Sequence, residues 1–332
     1  MTSEVPVLDV NSLKTRFDTR LGEVEAVSDV SLQIMPGETV ALVGESGSGK
    51  SVTALSIMRL LESTGWIAGG SVLLNGQDLT QLSHRDMRAV RGRDISMIFQ
   101  DPSTCLDPVY TVEAQLVEAL TIHGDFNAAD AKAEALALLR RVHMPDPESR
   151  LRSYQHQLSG GQRQRVMIAM ALALNPKLVI ADEPTTALDV TVQAQILDLL
   201  RVLQEETGTA ILFVTHDLGV VAEIADRVVV MYAGNVVEQG TVRQVLKDPQ
   251  HPYTEALLRS MPGLIAQSGG RLEPIEGAVP SLFDLPTGCR FAPRCQYRFD
   301  RCEQEAPELL EIGDQRQSRC WLRTDTATGA QR

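Results

Sequence analysis

The segment Gly44-Glu-Ser-Gly-Ser-Gly-Lys50-Ser51 limits what this chain can fold into more than any other part of it. It follows a short apolar run at residues 39–43 and opens residues 50–61, where Val52, Ala54, Leu55, Ile57, Met58 and Leu61 read as a buried helix. Strand, glycine-rich loop and helix, in that order, is the context in which G-x-x-x-x-G-K-[ST] works as a phosphate loop. Glycines let backbone N–H groups converge on phosphate oxygens, and the N-terminus of the helix adds positive potential. Gly44, Ser46, Gly47, Ser48 and Gly49 form the cradle, Lys50 reaches the β and γ phosphates, and Ser51 is placed to ligate Mg²⁺. The segment predicts an α/β nucleotide-binding fold.

The rest of the pattern agrees. Residues 24–30 and 31–34 read as strand, and Asn75-Gly76, between Val72-Leu73-Leu74 and Leu79, reads as a hairpin turn. A strand over 95–99 gives way to helical patterns at 112–123 and 128–142, so residues 101–170 read as a helical insertion. Strands at 178–181 and 210–215 then alternate with helices at about 189–206 and 217–225, before a hairpin over 228–238 turning at Gly234-Asn235. Continuous apolar strands alternating with helices predict a mostly parallel sheet covered on both faces. Past Pro249 the texture changes, with prolines at 252, 262, 274, 280, 286, 293 and 307. The predicted division is a nucleotide-binding domain over 1–250 and a small extension over 251–332.

Leu178-Val-Ile-Ala-Asp182-Glu183 is an apolar strand ending in two carboxylates. With a phosphate loop upstream, Asp182 is expected to serve Mg²⁺ and Glu183 to polarise a water for attack on the γ phosphate. Composition narrows the partners. Lys and Arg total 31 against 43 Asp and Glu, a formal charge of −12, which argues against sequence-blind nucleic-acid binding. The longest apolar run, residues 166–174, falls far short of the ~20 residues a membrane-spanning helix needs. The start, Met1-Thr-Ser-Glu-Val-Pro, is not a secretory signal, so the expected compartment is the cytosol. Each motif occurs once, so the chain reads as a monomer or as half of something larger.

Leu158-Ser159-Gly160-Gly161-Gln162, opening a helix ahead of the acidic strand, resembles the signature motif of ATP-binding cassette (ABC) ATPases. Ser159 and Gln162 have the spacing of a capping box, and Gly160 and Gly161 leave N–H groups open to an anion. The resemblance implies that this segment acts on ATP held by an opposite subunit. It also likens Gln100 to the Q-loop glutamine, a further Mg²⁺ contact, Ala187-Leu188-Asp189 to the D-loop and His216 to the switch histidine. Phe17 is the best candidate for the aromatic stacking on adenine. The fold implied is that of the ABC ATPases: a mostly parallel sheet core, an antiparallel β subdomain and a helical subdomain, here with a Pro/Cys-rich C-terminal extension.

GESGSGKS at 44–51, DEPTTALDVTV at 182–192, THDLGVVAE at 215–223 and the tail segments 248–258 and 288–295 are similar to the ATPase subunits of oligopeptide and dipeptide importers. The resemblance covers about residues 7 to 322. It implies an ATP-hydrolysing subunit at the cytoplasmic face of the inner membrane. Its partners would be a second, usually non-identical ATPase, two membrane permease subunits and an external solute-binding protein. The rival reading is a soluble ABC ATPase acting on nucleic acid or ribosomes, which would call for two cassettes, a long coiled-coil insertion or basic arms, none of which the sequence contains. A third, a redox or iron sensor, rests on the cysteines alone.

Those cysteines are Cys289, Cys295, Cys302 and Cys320. In a reducing compartment such clustering favours a metal over disulfides. The wide intervals, together with the resemblance, point to a [4Fe–4S] cluster, with Zn²⁺ second and unpaired thiols third. Arg290, Arg294, Arg298 and Arg301 are expected to offset the charge of thiolates and cluster.

Overall fold

A tight turn folds β1 (Leu8–Thr19) back on β2 (Gly22–Ile34), with Leu8 opposite Ile34 and Thr19 opposite Gly22. The computed structural model describes residues 5–323 apart from 125, 187, 261–273 and 314. Contacts among the described residues gather into two compact units, one built from residues 8–34, 39–80 and 214–323, the other from 5–7, 35–38 and 81–213.

In the first unit the chain runs through β3 (Thr39–Val43), buried at every position, and the glycine-rich loop into α1 (Lys50–Met58). The helix stops three residues short of the expected Leu61, because Arg59 turns left-handed at φ 51 and sends its N–H back to the Leu55 and Ser56 carbonyls. β4 (Gly65–Leu74) pairs with the free edge of β1, Leu8 opposite Leu74, and β5 (Gln77–Asp78) closes the antiparallel sheet. Asn75 and Gly76 have φ of 48 and 81, the paired positive values of the hairpin turn that the sequence predicts.

The second unit carries α2 (His84–Val90), β6 (Ile95–Ile98), α3 (Pro102–Cys105), α4 (Val112–Thr121), α5 (Ala128–Arg141), α6 (Pro147–Arg150), α7 (Gly160–Ala171), β7 (Leu178–Asp182) and α8 (Val190–Thr207). β6 and β7 are parallel, with Ile95 opposite Leu178 and Ile98 opposite Ala181. The predicted helical insertion is α3 to α7. Its starts are set by side-chain caps, with Thr111, Asn127 and Ser159 each accepting from a backbone N–H one turn on. Within β8 (Ala210–Thr215) the chain passes from the second unit into the first.

There α9 (Leu218–Ile224), capped by Asp217, leads to β9 (Arg227–Tyr232) and β10 (Asn235–Thr241). β9 runs parallel to β3, Val40 opposite Arg227, and antiparallel to β10. Their turn is Ala233-Gly234, φ 44 and 83, one residue earlier than Gly234-Asn235. The reason is steric: Gly234 takes the second turn position because a Cβ there meets the Ala26 carbonyl at 2.8 Å. α10 (Val242–Lys247) and α11 (Pro252–Arg259) follow, and β11 (Leu310–Glu311) and β12 (Gln317–Ser318) extend the edge beside β10, with Glu238 opposite Ser318.

Tyr253, Leu257, Leu258 and Phe291 share one apolar cluster with Val43, Val228, Val230 and Tyr232. Glu238, fully buried, accepts the Gln250 and His251 N–H groups at 2.8 and 2.9 Å and pairs with the buried Arg316 at 2.8 Å. The described residues after residue 250 are therefore packed into the unit that carries the glycine-rich loop. Among the described residues no helix is long and apolar enough to cross a membrane.

Candidate functional site

The loop between β3 and α1 takes a conformation that only glycine allows at two of its positions. At Gly44, φ 155, a Cβ would lie 2.2 Å from the Met231 carbonyl oxygen and 2.7 Å from Ser48 Oγ. At Gly49, φ 102, it would lie 2.8 Å from the Ala26 carbonyl oxygen. Ser46 and Gly47 are exposed, and a Cβ on Gly47 would meet nothing within 4 Å, so the loop is open on that side.

Beyond the loop, α1 starts from Gly49 with no side-chain cap and no acidic residue in its first turn, leaving its leading N–H groups to an anion. Lys50, 5% exposed, curls over the loop, its Nζ donating to the Gly44 and Glu45 carbonyls at 2.8 and 3.1 Å. Ser48 Oγ is buried within the cradle and has no hydrogen-bond partner in the structure, an orphaned polar atom of the kind a phosphate oxygen satisfies. This donor set, with the Ser51 hydroxyl at the start of the helix, fits a nucleotide phosphate chain and its Mg²⁺.

In the other unit, β7 delivers Asp182, 7% exposed, to its C-terminal end. Glu183 follows at φ 45, a left-handed conformation rare for a non-glycine residue and concentrated at functional sites. Its Oε2 accepts from Gln100 Nε2 and from Thr186 Oγ1, each at 3.0 Å. Gln100 and Glu183 are thus in direct hydrogen-bond contact. The sequence motifs assign no role to Thr186. Its only local signal is its place three residues after the carboxylate.

Ser159 caps α7 in a reciprocal capping box, accepting from the Gln162 N–H at 3.3 Å while Gln162 Oε1 accepts from the Ser159 N–H at 3.0 Å. Ser159 and Gly160 are exposed, so the start of this helix is open to solvent, and Gly161 and Gln162 are partly exposed. Ala187 lies outside the described residues. Asp189, its D-loop companion, caps α8 by accepting from the Val192 N–H at 3.0 Å.

His216, exposed, follows β8 in the unit of the glycine-rich loop. Phe17, half-buried in β1, lays its ring against Gly65 of β4, where a Cβ would come within 2.5 Å of Cε1. Phe17, Gly44 to Ser51 and His216 thus belong to one unit, and Gln100, Ser159 to Gln162, Asp182 and Glu183 to the other.

The four tail cysteines line one small apolar cavity with His251, Phe291 and Trp321, and the Cys289 N–H donates to the Cys302 carbonyl at 2.8 Å. All four are free thiols. Burial pushes Cys289 up, Cys295 to about 11 and Cys320 to about 12, and their mutual repulsion adds to this. Among the described residues no group of three or more His, Cys, Asp or Glu side chains is arranged to hold a metal ion. The expected [4Fe–4S] or Zn²⁺ ligand arrangement is therefore not seen among the described residues.

Nor do the four arginines serve that cavity. Arg290 donates to the Ala233 carbonyl and Ser28 Oγ, and Arg294 pairs with Glu45. Arg298 faces Glu303 at 3.9 Å, and Arg301 lies 3.5 Å over the Trp321 ring. Each is held by a carboxylate, carbonyl or ring, Arg301 by the Trp321 ring that lines the cavity.

The ABC transporter family model matches residues 27–186, and the model of the oligopeptide/dipeptide transporter C-terminal region matches residues 237–302. A protein of Brucella melitensis named as a peptide import ATP-binding protein is 54% identical over 96% of this chain and 97% of its own length. The dipeptide transport ATP-binding protein DppD of Escherichia coli is 48% identical over 97% of this chain and 98% of its own. Among solved structures, the ATP-binding cassette MJ0796, dimeric in a post-hydrolysis state with ADP and Pi, superposes with a TM-score of 0.64 at 29% identity, covering 71% of this chain and 99% of that one. None of these names refers to nucleic acid or ribosomes, so the rival reading is left without support.

Proposed function

The chain belongs to the ABC transporter family, among the ATP-binding subunits of peptide importers, and from that membership we propose that it binds and hydrolyses ATP to drive the uptake of di- or oligopeptides through membrane subunits. The observation that carries the reading is the phosphate cradle: an uncapped helix start, Lys50 drawn over the loop, and a buried Ser48 hydroxyl without a partner.

Each residue has a role in it. The N–H groups of the loop and Lys50 hold the β and γ phosphates, and Ser51, Gln100 and Asp182 would hold Mg²⁺. Mg²⁺ supplies charge neutralisation at the phosphates. Glu183, its carboxylate fixed by Gln100 and Thr186, accepts the proton of the attacking water. His216 contacts the γ phosphate, and Phe17 stacks on the base. Ser159 to Gln162 act on ATP held by a second, non-identical ATPase subunit.

The remaining partners on this reading are two permeases and an external binding protein, with the chain at the cytoplasmic face of the inner membrane. The test is purification of the tagged chain from membranes: permeases should come with it. A chain that comes alone, or with nucleic acid, contradicts the proposal. In the cysteine tail the four thiols line one cavity but form no metal-holding group among the described residues. Anaerobic purification followed by iron, sulfide and zinc analysis decides between cluster, zinc and free thiols.

A further inference from the structure

The loop that holds phosphate contains one carboxylate, Glu45. A negative charge there opposes the binding of a triphosphate unless it is neutralised and fixed. Arg294, 249 residues away in the proline- and cysteine-rich tail, does both: Nη1 donates to Oε2 at 2.7 Å and Nη2 to Oε1 at 3.1 Å, a two-pronged contact. The arginine side chain is 4% exposed, so water screens the pair poorly.

Its own position is set from three sides. Nε donates to the Glu276 carbonyl at 2.9 Å, Nη2 to the Ile275 carbonyl at 3.3 Å, and the guanidinium lies 5.7 Å from the centre of the Tyr232 ring. A second tail residue grips the same loop position, since the buried Tyr253 hydroxyl accepts the Glu45 N–H at 2.8 Å. The Glu45 carbonyl in turn accepts from Lys50 Nζ, so the hold on Glu45 extends to the lysine of the cradle.

We propose that Arg294, with Tyr253, is a positioning residue through which the C-terminal extension sets the affinity of the phosphate loop for ATP. Arg294 does not touch the nucleotide. It fixes the backbone at the second residue of the loop and cancels the one charge there that repels phosphate. The inference rests on reading Gly44 to Ser51 as the ATP site, and the two are tested separately.

The experiment is equilibrium binding of Mg-ATP to the full chain and its variants. Binding by wild type and its loss in Lys50→Ala establish the site; failure of both removes the reading itself. Given that, Arg294→Met should weaken ATP about tenfold, the factor one charge-assisted contact is worth. Adding Glu45→Gln should recover binding to within about threefold of wild type, because the uncompensated carboxylate is gone. A purely structural role for Arg294 predicts no such rescue. Unchanged affinity in a folded Arg294→Met, or a double variant no better than the single one, overturns the proposal. Should Arg294→Met fail to fold, Arg294→Lys and Tyr253→Phe replace it, each expected to weaken ATP by about threefold through the lost fork or hydroxyl; wild-type affinity in both overturns it equally.

Discussion

The Gln100 amide donates to the Glu183 carboxylate at 3.0 Å, and Thr186 Oγ1 donates to the same oxygen at 3.0 Å. A carboxylate oxygen with two donors is fixed in direction, which suits the role proposed for Glu183 in orienting the attacking water. Glu183→Gln should therefore retain ATP binding and lose hydrolysis by about two to four orders of magnitude. Thr186→Val should lower kcat several-fold and leave KM for ATP near its wild-type value. Steady-state kinetics and ATP binding measure both, and a fall in affinity that matches the fall in turnover contradicts the assignment.

The exposed start of α7 carries a prediction about assembly. Ser159 and Gly160 face solvent, and their proposed ATP is the partner's. The isolated chain should be a weak ATPase whose specific activity rises with concentration or with the partner subunit. Ser159→Arg should abolish that stimulation and leave ATP binding at the Lys50 loop intact. Equal specific activity at all concentrations, without the partner, counts against the dimeric site.

Stability has its own test at Glu238. Its carboxylate is fully buried and compensated by Arg316 together with the Gln250 and His251 N–H groups. Arg316→Met leaves the charge with two neutral donors, and should cost about 3 kcal/mol in denaturant unfolding. Arg316→Met combined with Glu238→Gln should recover part of that loss. A single variant as stable as wild type would show that the two N–H groups suffice.

His251 sets a pH dependence. Its Nδ1 accepts from the Tyr253 N–H at 3.0 Å, capping α11, and burial lowers its pKa from 6.5 to about 3. The unfolded chain therefore binds a proton that the folded one refuses. Its contribution to stability is complete above about 6.5 and declines as the pH falls towards 3, by about 1.4 kcal/mol per unit within that window. Melting temperatures of wild type and His251→Asn between pH 7 and 5 check the sign: the wild type should lose more.

What was legible in the sequence was local. The β3, loop and α1 sequence, the Asn75-Gly76 turn and the Ser159–Gln162 capping box each depend on neighbours within a few residues, and each was readable from spacing. The turn at Ala233-Gly234 was misplaced by one residue because its register depends on Ala26, far away in sequence. For the same reason sequence position suggests Arg294 as a counter-charge for the cysteines, with Cys295 its chain neighbour, whereas its partner Glu45 is set by tertiary packing. Thr186 was hidden because a threonine after an acidic strand end is unremarkable until the left-handed Glu183 turns its carboxylate back towards it.

The central claim, that this chain spends ATP to move peptides, is tested most directly in the membrane complex captured by the tagged chain and reconstituted in vesicles with the solute-binding protein. The account predicts ATP-dependent peptide uptake and peptide-stimulated hydrolysis, both abolished by Glu183→Gln in this chain. Uptake or hydrolysis that is indifferent to peptide would contradict it, as would transport unaffected by the loss of the Glu183 carboxylate.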